Sequence, residues 1–166
     1  MRKVIVNGDA LTVEDVVDVA RGEATAELSG STAAAMEPSR SVVAAAIQGD
    51  APVYGVNTGF GALADTRVGA EDLVRLQGAI VRSHAAATGE PLSDPAVRAL
   101  LLLRARTLAA GYSGVRPELP ARLIDMLNRG LLPVVPGKGS VGARAGPGPP
   151  THPPTPCRAR PAAGPG

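Results

Sequence analysis

The chain changes character at Gly146. From there to Gly166, eight prolines and four glycines fall in 21 residues, and no Leu, Ile, Val, Phe, Asp or Glu occurs. Proline fixes φ and removes a backbone donor, and nothing in this stretch can build a core, so it reads as a disordered tail. Packed structure is therefore expected only before it. Hydrophobic residues make up 45% of the chain but aromatics only 2%, namely Tyr54, Phe60 and Tyr112. The core must come from Leu, Val, Ile and Ala, whose apolar faces suit closely packed helices.

The spacing of those residues predicts a mainly α fold. Lys3 to Val6 reads as a short strand and Asn7-Gly8 as a turn. Thr12 with Asp15 has the form of a capping box, opening a helix that carries Val13, Val16, Val17 and Val19. A second helix is expected over about 32 to 48, with Val42, Val43 and Ile47 buried. Pro38 lies inside that span, and a start near Pro38 is preferred over a kink. Residues 50 to 66, with Gly55, Gly59 and Gly61, read as a loop needing close backbone approach or positive φ. Helical spacing resumes over 70 to 87. It resumes again after Ser93, read as a cap with Pro95 in the first turn, and runs to Gly111. A last helix opens at Pro117 and closes at Gly130.

Charge and cysteine content exclude several classes. The sequence pI of about 9.1 suggests a nucleic-acid partner, but the formal net charge is only +2 and no Lys/Arg run exists. The single cysteine, Cys157, excludes an intrachain disulfide framework, and in a Pro-rich tail it has nothing to activate it. The first residues show no signal-peptide pattern, and the apolar run 99 to 103 is too short to span a membrane. A cytoplasmic protein without a membrane partner is expected. No Cys/Asp/Glu set surrounds His84, so no metal site is expected. Gly137-Lys138-Gly139-Ser140 is an incomplete phosphate fingerprint and is set aside.

The chemically suggestive stretch is Val53-Tyr54-Gly55-Val56-Asn57-Thr58-Gly59-Phe60-Gly61. Two readings of it stand: a turn anchored by Tyr54 and Phe60, or a phenol placed on a Gly-rich loop to exchange a proton. His84 lies near the apolar face of a helix, either as a satisfied core residue or as a site residue. Arg98, Arg104 and Arg106 are read as solvating a helix face.

Tyr54 to Gly61, with Ser83-His84, Leu108 to Gly114, Leu127-Asn128-Arg129-Gly130 and Gly139 to Ala143, resembles the histidine branch of the aromatic amino acid ammonia-lyases. The resemblance covers residues 1 to about 143. It implies that family's N-terminal helical domain with a short N-terminal strand, lacking the long central helix bundle, followed by the tail at 144 to 166. It implies loss of ammonia from L-histidine to give trans-urocanate, in a homotetramer, with no external cofactor. The electrophile is a 4-methylidene-imidazol-5-one (MIO) made from an internal Ala-Ser-Gly, because ordinary side chains supply acids and nucleophiles but no electrophile. By the same resemblance Tyr54 and His84 are catalytic, Asn57, Thr58, Gly59, Phe60 and Gly61 shape the loop, and Ala143 opens the ring-forming triplet.

The departures are concentrated after Ala143. Arg144 stands where the Ser hydroxyl must leave to create the exocyclic methylene, and Ala145 replaces the Gly whose unhindered nitrogen attacks. The Asp-Leu-Ala-Pro-Leu that follows in the family is Gly146-Pro147-Gly148-Pro149-Pro150 here. Gly78 and the Ala86-Ala87-Thr88 run also depart from the pattern. A shift of reading frame near codons 144 and 145 accounts for the match before and its loss after. The alternatives are a partial subunit completed by another chain, a non-catalytic binding module, or phenylalanine, tyrosine or aminomutase ancestry.

Overall fold

The computed structural model describes residues 1–83, 87–139 and 157–159. Strand β1 (Arg2–Val6) leads through Asn7 to Asp9 into α1 (Val13–Arg21), which ends at Gly22 with φ 80°. The capping box forms as expected: the Asp15 amide donates to Thr12 Oγ1 at 3.1 Å, and the Thr12 amide donates to Asp15 Oδ2 at 3.1 Å. Strand β2 (Ala24–Leu28) then pairs in parallel with β1, from Arg2 opposite Ala24 to Val6 opposite Leu28. Its sequence, Ala-Thr-Ala-Glu-Leu, carries little strand signal, and the sequence reading missed it.

Helix α2 (Thr32–Gln48) contains Pro38 in its seventh position, so the preferred later start is wrong. Proline removes one backbone hydrogen bond, and the rest of the turn remains helical. The expected burial of Val42 is also wrong, since it is 69% exposed, while Val43 and Ile47 are half-buried. Helix α3 (Ala70–Ser83) stops short of 87, and Thr88 already belongs to β3 (Thr88–Pro91). Helix α4 (Asp94–Ala109) has Pro95 in its first turn, but its N-cap Ser93 makes no capping hydrogen bond with its side chain. Helix α5 (Glu118–Asn128) leads through Gly130 to β4 (Leu131–Pro133) and then β5 (Pro136–Lys138). Strand β5 pairs antiparallel with β3. In the stretch expected to be disordered, Cys157–Ala159 forms β6, antiparallel to β4.

The core gathers around α4. Val97, Leu101, Leu102, Ala105, Leu108 and Ala109 pack with Val4 and Val6 of β1, Val19 of α1, Ala24 and Ala26 of β2, and Leu123, Ile124 and Leu127 of α5. It is built from aliphatic side chains and alanine, as composition required. Arg98 corrects the solvating assignment. It is 9% exposed, and its Nε and Nη1 donate to the carbonyls of Val19 at 2.9 Å and Leu127 at 3.0 Å. One guanidinium thereby satisfies last-turn carbonyls of both α1 and α5, at the negative ends of their dipoles. Arg106 also turns inward to the chain, donating from Nε to the Asp9 carbonyl at 2.7 Å. Gly111 seats α2 against the end of α4: its φ is 81°, and a Cβ there would lie 2.5 Å from the Ala35 carbonyl oxygen.

Candidate functional site

The glycine-rich loop between α2 and α3 is held from beneath by two buried polar side chains. Asn57 is 0% exposed and saturates its amide. Its Oδ1 accepts from the Val53 amide at 2.7 Å, and its Nδ2 donates to the carbonyls of Ala46 at 2.8 Å and Ala51 at 3.0 Å. One side chain therefore ties the loop to the last turn of α2. Thr58, also buried, accepts from the Gly55 amide at 3.2 Å and donates to the Gly59 carbonyl at 3.0 Å. The backbone closes the loop at its far side, where the Val68 amide donates to the Asn57 carbonyl at 2.8 Å and Thr58 bridges Arg67.

Glycine is required here for two distinct reasons. Gly55 has φ 74° and Gly61 φ 60°, in the region that favours glycine. Gly59 is required by space, because a Cβ would lie 2.5 Å from Leu63 Cβ, in the short helical turn Gly61–Leu63. On this frame Tyr54 is 58% exposed, and its ring meets Phe60 edge-on, with centroids 5.5 Å apart and planes at 67°. Such a pair stabilises both rings by about 1 kcal/mol. The aromatic pair thus anchors the turn while Tyr54 stays exposed.

The structure brings Tyr54, Asn57, Thr58, Gly59, Phe60 and Gly61 together in this loop. His84, Ala143, Arg144 and Ala145 lie outside the described residues. Among the described residues no group of three His, Cys, Asp or Glu side chains is placed to hold a metal. The sequence reading missed Arg67, whose Nε and Nη2 donate to the Gly49 carbonyl at 3.2 and 3.0 Å and so clamp the two ends of the loop. No local pattern marks it, since its partner is 18 positions away. It also missed a cavity of about 730 Å³ behind the loop, reached by Arg40 of α2, Gln77 of α3 and the segment from Ser113 to Arg122. Gly55 and Val56 form part of its wall.

Comparison with known proteins agrees with the loop. The family model described as aromatic amino acid lyase matches residues 11–147. The histidine ammonia-lyase of Myxococcus xanthus is 50% identical over 141 residues, covering 85% of this chain and 28% of that protein. The probable histidine ammonia-lyase of Halobacterium salinarum is 46% identical over 140 residues, covering 84% of this chain and 27% of that protein. Among solved structures, tyrosine aminomutase from Streptomyces globisporus superposes with a TM-score of 0.77 at 38% identity, covering 83% of this chain and 26% of that one. Histidine ammonia-lyase from Trypanosoma cruzi gives 0.75 at 34% identity, covering 84% and 27%. The chain thus spans little more than a quarter of the length of the relatives it matches. By its loop, its fold and its sequence, it belongs to the aromatic amino acid lyase family.

Proposed function

We propose that this chain is the N-terminal portion of a histidine ammonia-lyase, the enzyme that eliminates ammonia from L-histidine, and that by itself it does not turn over. The observation that carries the reading is the locked glycine loop. Asn57 and Thr58 turn their polar groups to backbone atoms of the loop and of α2, which holds in place the backbone that carries Tyr54. A side chain acting on a reacting atom needs that kind of fixed placement. Support for histidine as the substrate comes from the Ser83-His84 pair and from the histidine ammonia-lyases among the relatives. Tyr54 serves an acid/base step and His84 contacts the substrate ring in the whole enzyme, which is a cytoplasmic homotetramer.

The residues present do not fit the self-made MIO electrophile. Ala143-Arg144-Ala145 has no hydroxyl to leave and so cannot generate the methylene. No step through that group is assigned to this chain. In this reading residues 1 to 143 are the lyase-like unit and 144 to 166 a tail, from which β6 pairs with β4.

The nucleotide sequence from codon 140 onward tests the proposal. A second frame resuming Ser-Gly-Asp-Leu-Ala-Pro-Leu is expected. The protein from the joined frame should release ammonia from L-histidine in preference to L-tyrosine and L-phenylalanine. A tyrosine or phenylalanine preference would overturn the histidine assignment, and ammonia release by the 166-residue chain alone would overturn its inactivity.

A further inference from the structure

The cavity beside the loop is lined by both aliphatic and cationic side chains. Val43 and Ile47 of α2 and Leu119 of α5 supply aliphatic surface, and Arg40, Arg116 and Arg122 supply three guanidinium groups. One carboxylate, Glu118, also lines it, so positive charge is in excess. Among the described residues none of these three arginines forms an ion pair, although Arg2, Arg67, Arg75 and Arg129 all do. Arg40 makes one long hydrogen bond, to the Gly114 carbonyl at 3.4 Å, which leaves most of its donors uncommitted. About 730 Å³ is in the range of pockets that hold small organic ligands. Guanidinium forks match carboxylate geometry, and the aliphatic residues beside them offer surface to an apolar body.

We infer that this cavity binds a small carboxylate with an apolar body, an aromatic or branched acid. The carboxylate sits among Arg40, Arg116 and Arg122, and the body lies on Val43, Ile47 and Leu119. Because Gly55 and Val56 form part of the wall, an occupant stiffens the loop next to Tyr54 from behind. The inference concerns residues present in this chain and does not depend on the lyase reading.

Calorimetric titration of the full chain with benzoate tests it, with neutral benzamide and inorganic phosphate as controls. Saturable benzoate binding is expected, with amide chemical-shift changes at Gly55, Val56 and Gly114. Arg116→Ala and Arg122→Ala should each weaken it roughly tenfold. Both side chains are exposed, so circular dichroism and thermal melting of the variants should match the parent. Absence of benzoate binding, equal binding of benzamide, binding of phosphate alone, or shift changes confined to other regions would each overturn the inference.

Discussion

At the scale of single residues, Asn57 is the most consequential side chain of the loop. Replacing it with Ala removes, at a fully buried position, the side-chain partner of the Ala46 and Ala51 carbonyls and of the Val53 amide. Asn57→Ala should therefore cost about 2–4 kcal/mol, read as a lowered urea midpoint with an unchanged slope. The sequence marks Asn57-Thr58 as a polar pair in a glycine-rich loop, but the backbone groups they satisfy lie on the preceding helix and are not readable from the pair itself. Asp15 gives a pH prediction. The Thr12 hydroxyl, then the Arg2 guanidinium, hold its carboxyl below the ordinary value of 3.8. A depressed carboxylate stabilises the fold above its unfolded pKa, and that contribution is lost as pH falls through the folded value. Acid unfolding curves should therefore separate parent from Asp15→Asn above pH 3.8 and converge below it.

At the scale of elements, the helices differ in how their ends are satisfied. The start of α1 is legible because Thr12 and Asp15 are three residues apart and cap each other. Its end is closed locally by Gly22, whose amide meets the Val19 carbonyl, and a second donor to that carbonyl comes from Arg98, 79 positions away, which no local pattern marks. Arg98→Met keeps the length and apolar stem of the side chain but removes the buried guanidinium and the charged donor it adds to the Val19 and Leu127 carbonyls, which keep only their backbone donors from Gly22 and Gly130. It should lower stability by about 2–4 kcal/mol in equilibrium unfolding. Pro38 offers the opposite sign. It is exposed and lies within α2, so Pro38→Ala restores an amide donor and removes the steric conflict with the preceding turn. The variant should be more stable by about 1–3 kcal/mol and show more helix by circular dichroism.

At the scale of the whole molecule, the core cluster involves β1, α1, β2, α4, α5 and β4, while α2 and α3 lie outside it. Met36 of α2 and Leu73 of α3 are buried, yet Val42 and Val74 on the same helices are 69% and 80% exposed. Apolar side chains left open on helices that carry little of the core favour association. The sedimentation coefficient should rise with protein concentration, and Val42→Lys combined with Val74→Lys should reduce that dependence. Among the described residues, no helix is long and apolar enough to cross a membrane.

Near-neighbour chemistry was determined by the sequence itself. The Thr12 capping box, the ends of α4 and α5, the aliphatic core and the glycine loop between α2 and α3 each depend on residues a few positions apart, or on composition. The tertiary structure decided whatever rests on distant partners. Strand β2 has weak intrinsic preference, and it is a strand because β1 pairs with it and because Asn128, 102 positions on, exchanges two hydrogen bonds with the Ala26 backbone. Pro38 stays helical because α2 is seated at Gly111 and Met36 is buried. The guanidinium of Arg98 is inside because two helix ends offer it carbonyls. Local sequence carries the energies of turns and caps, which span few residues. Burial and long-range hydrogen bonding appear only when the chain has folded back on itself.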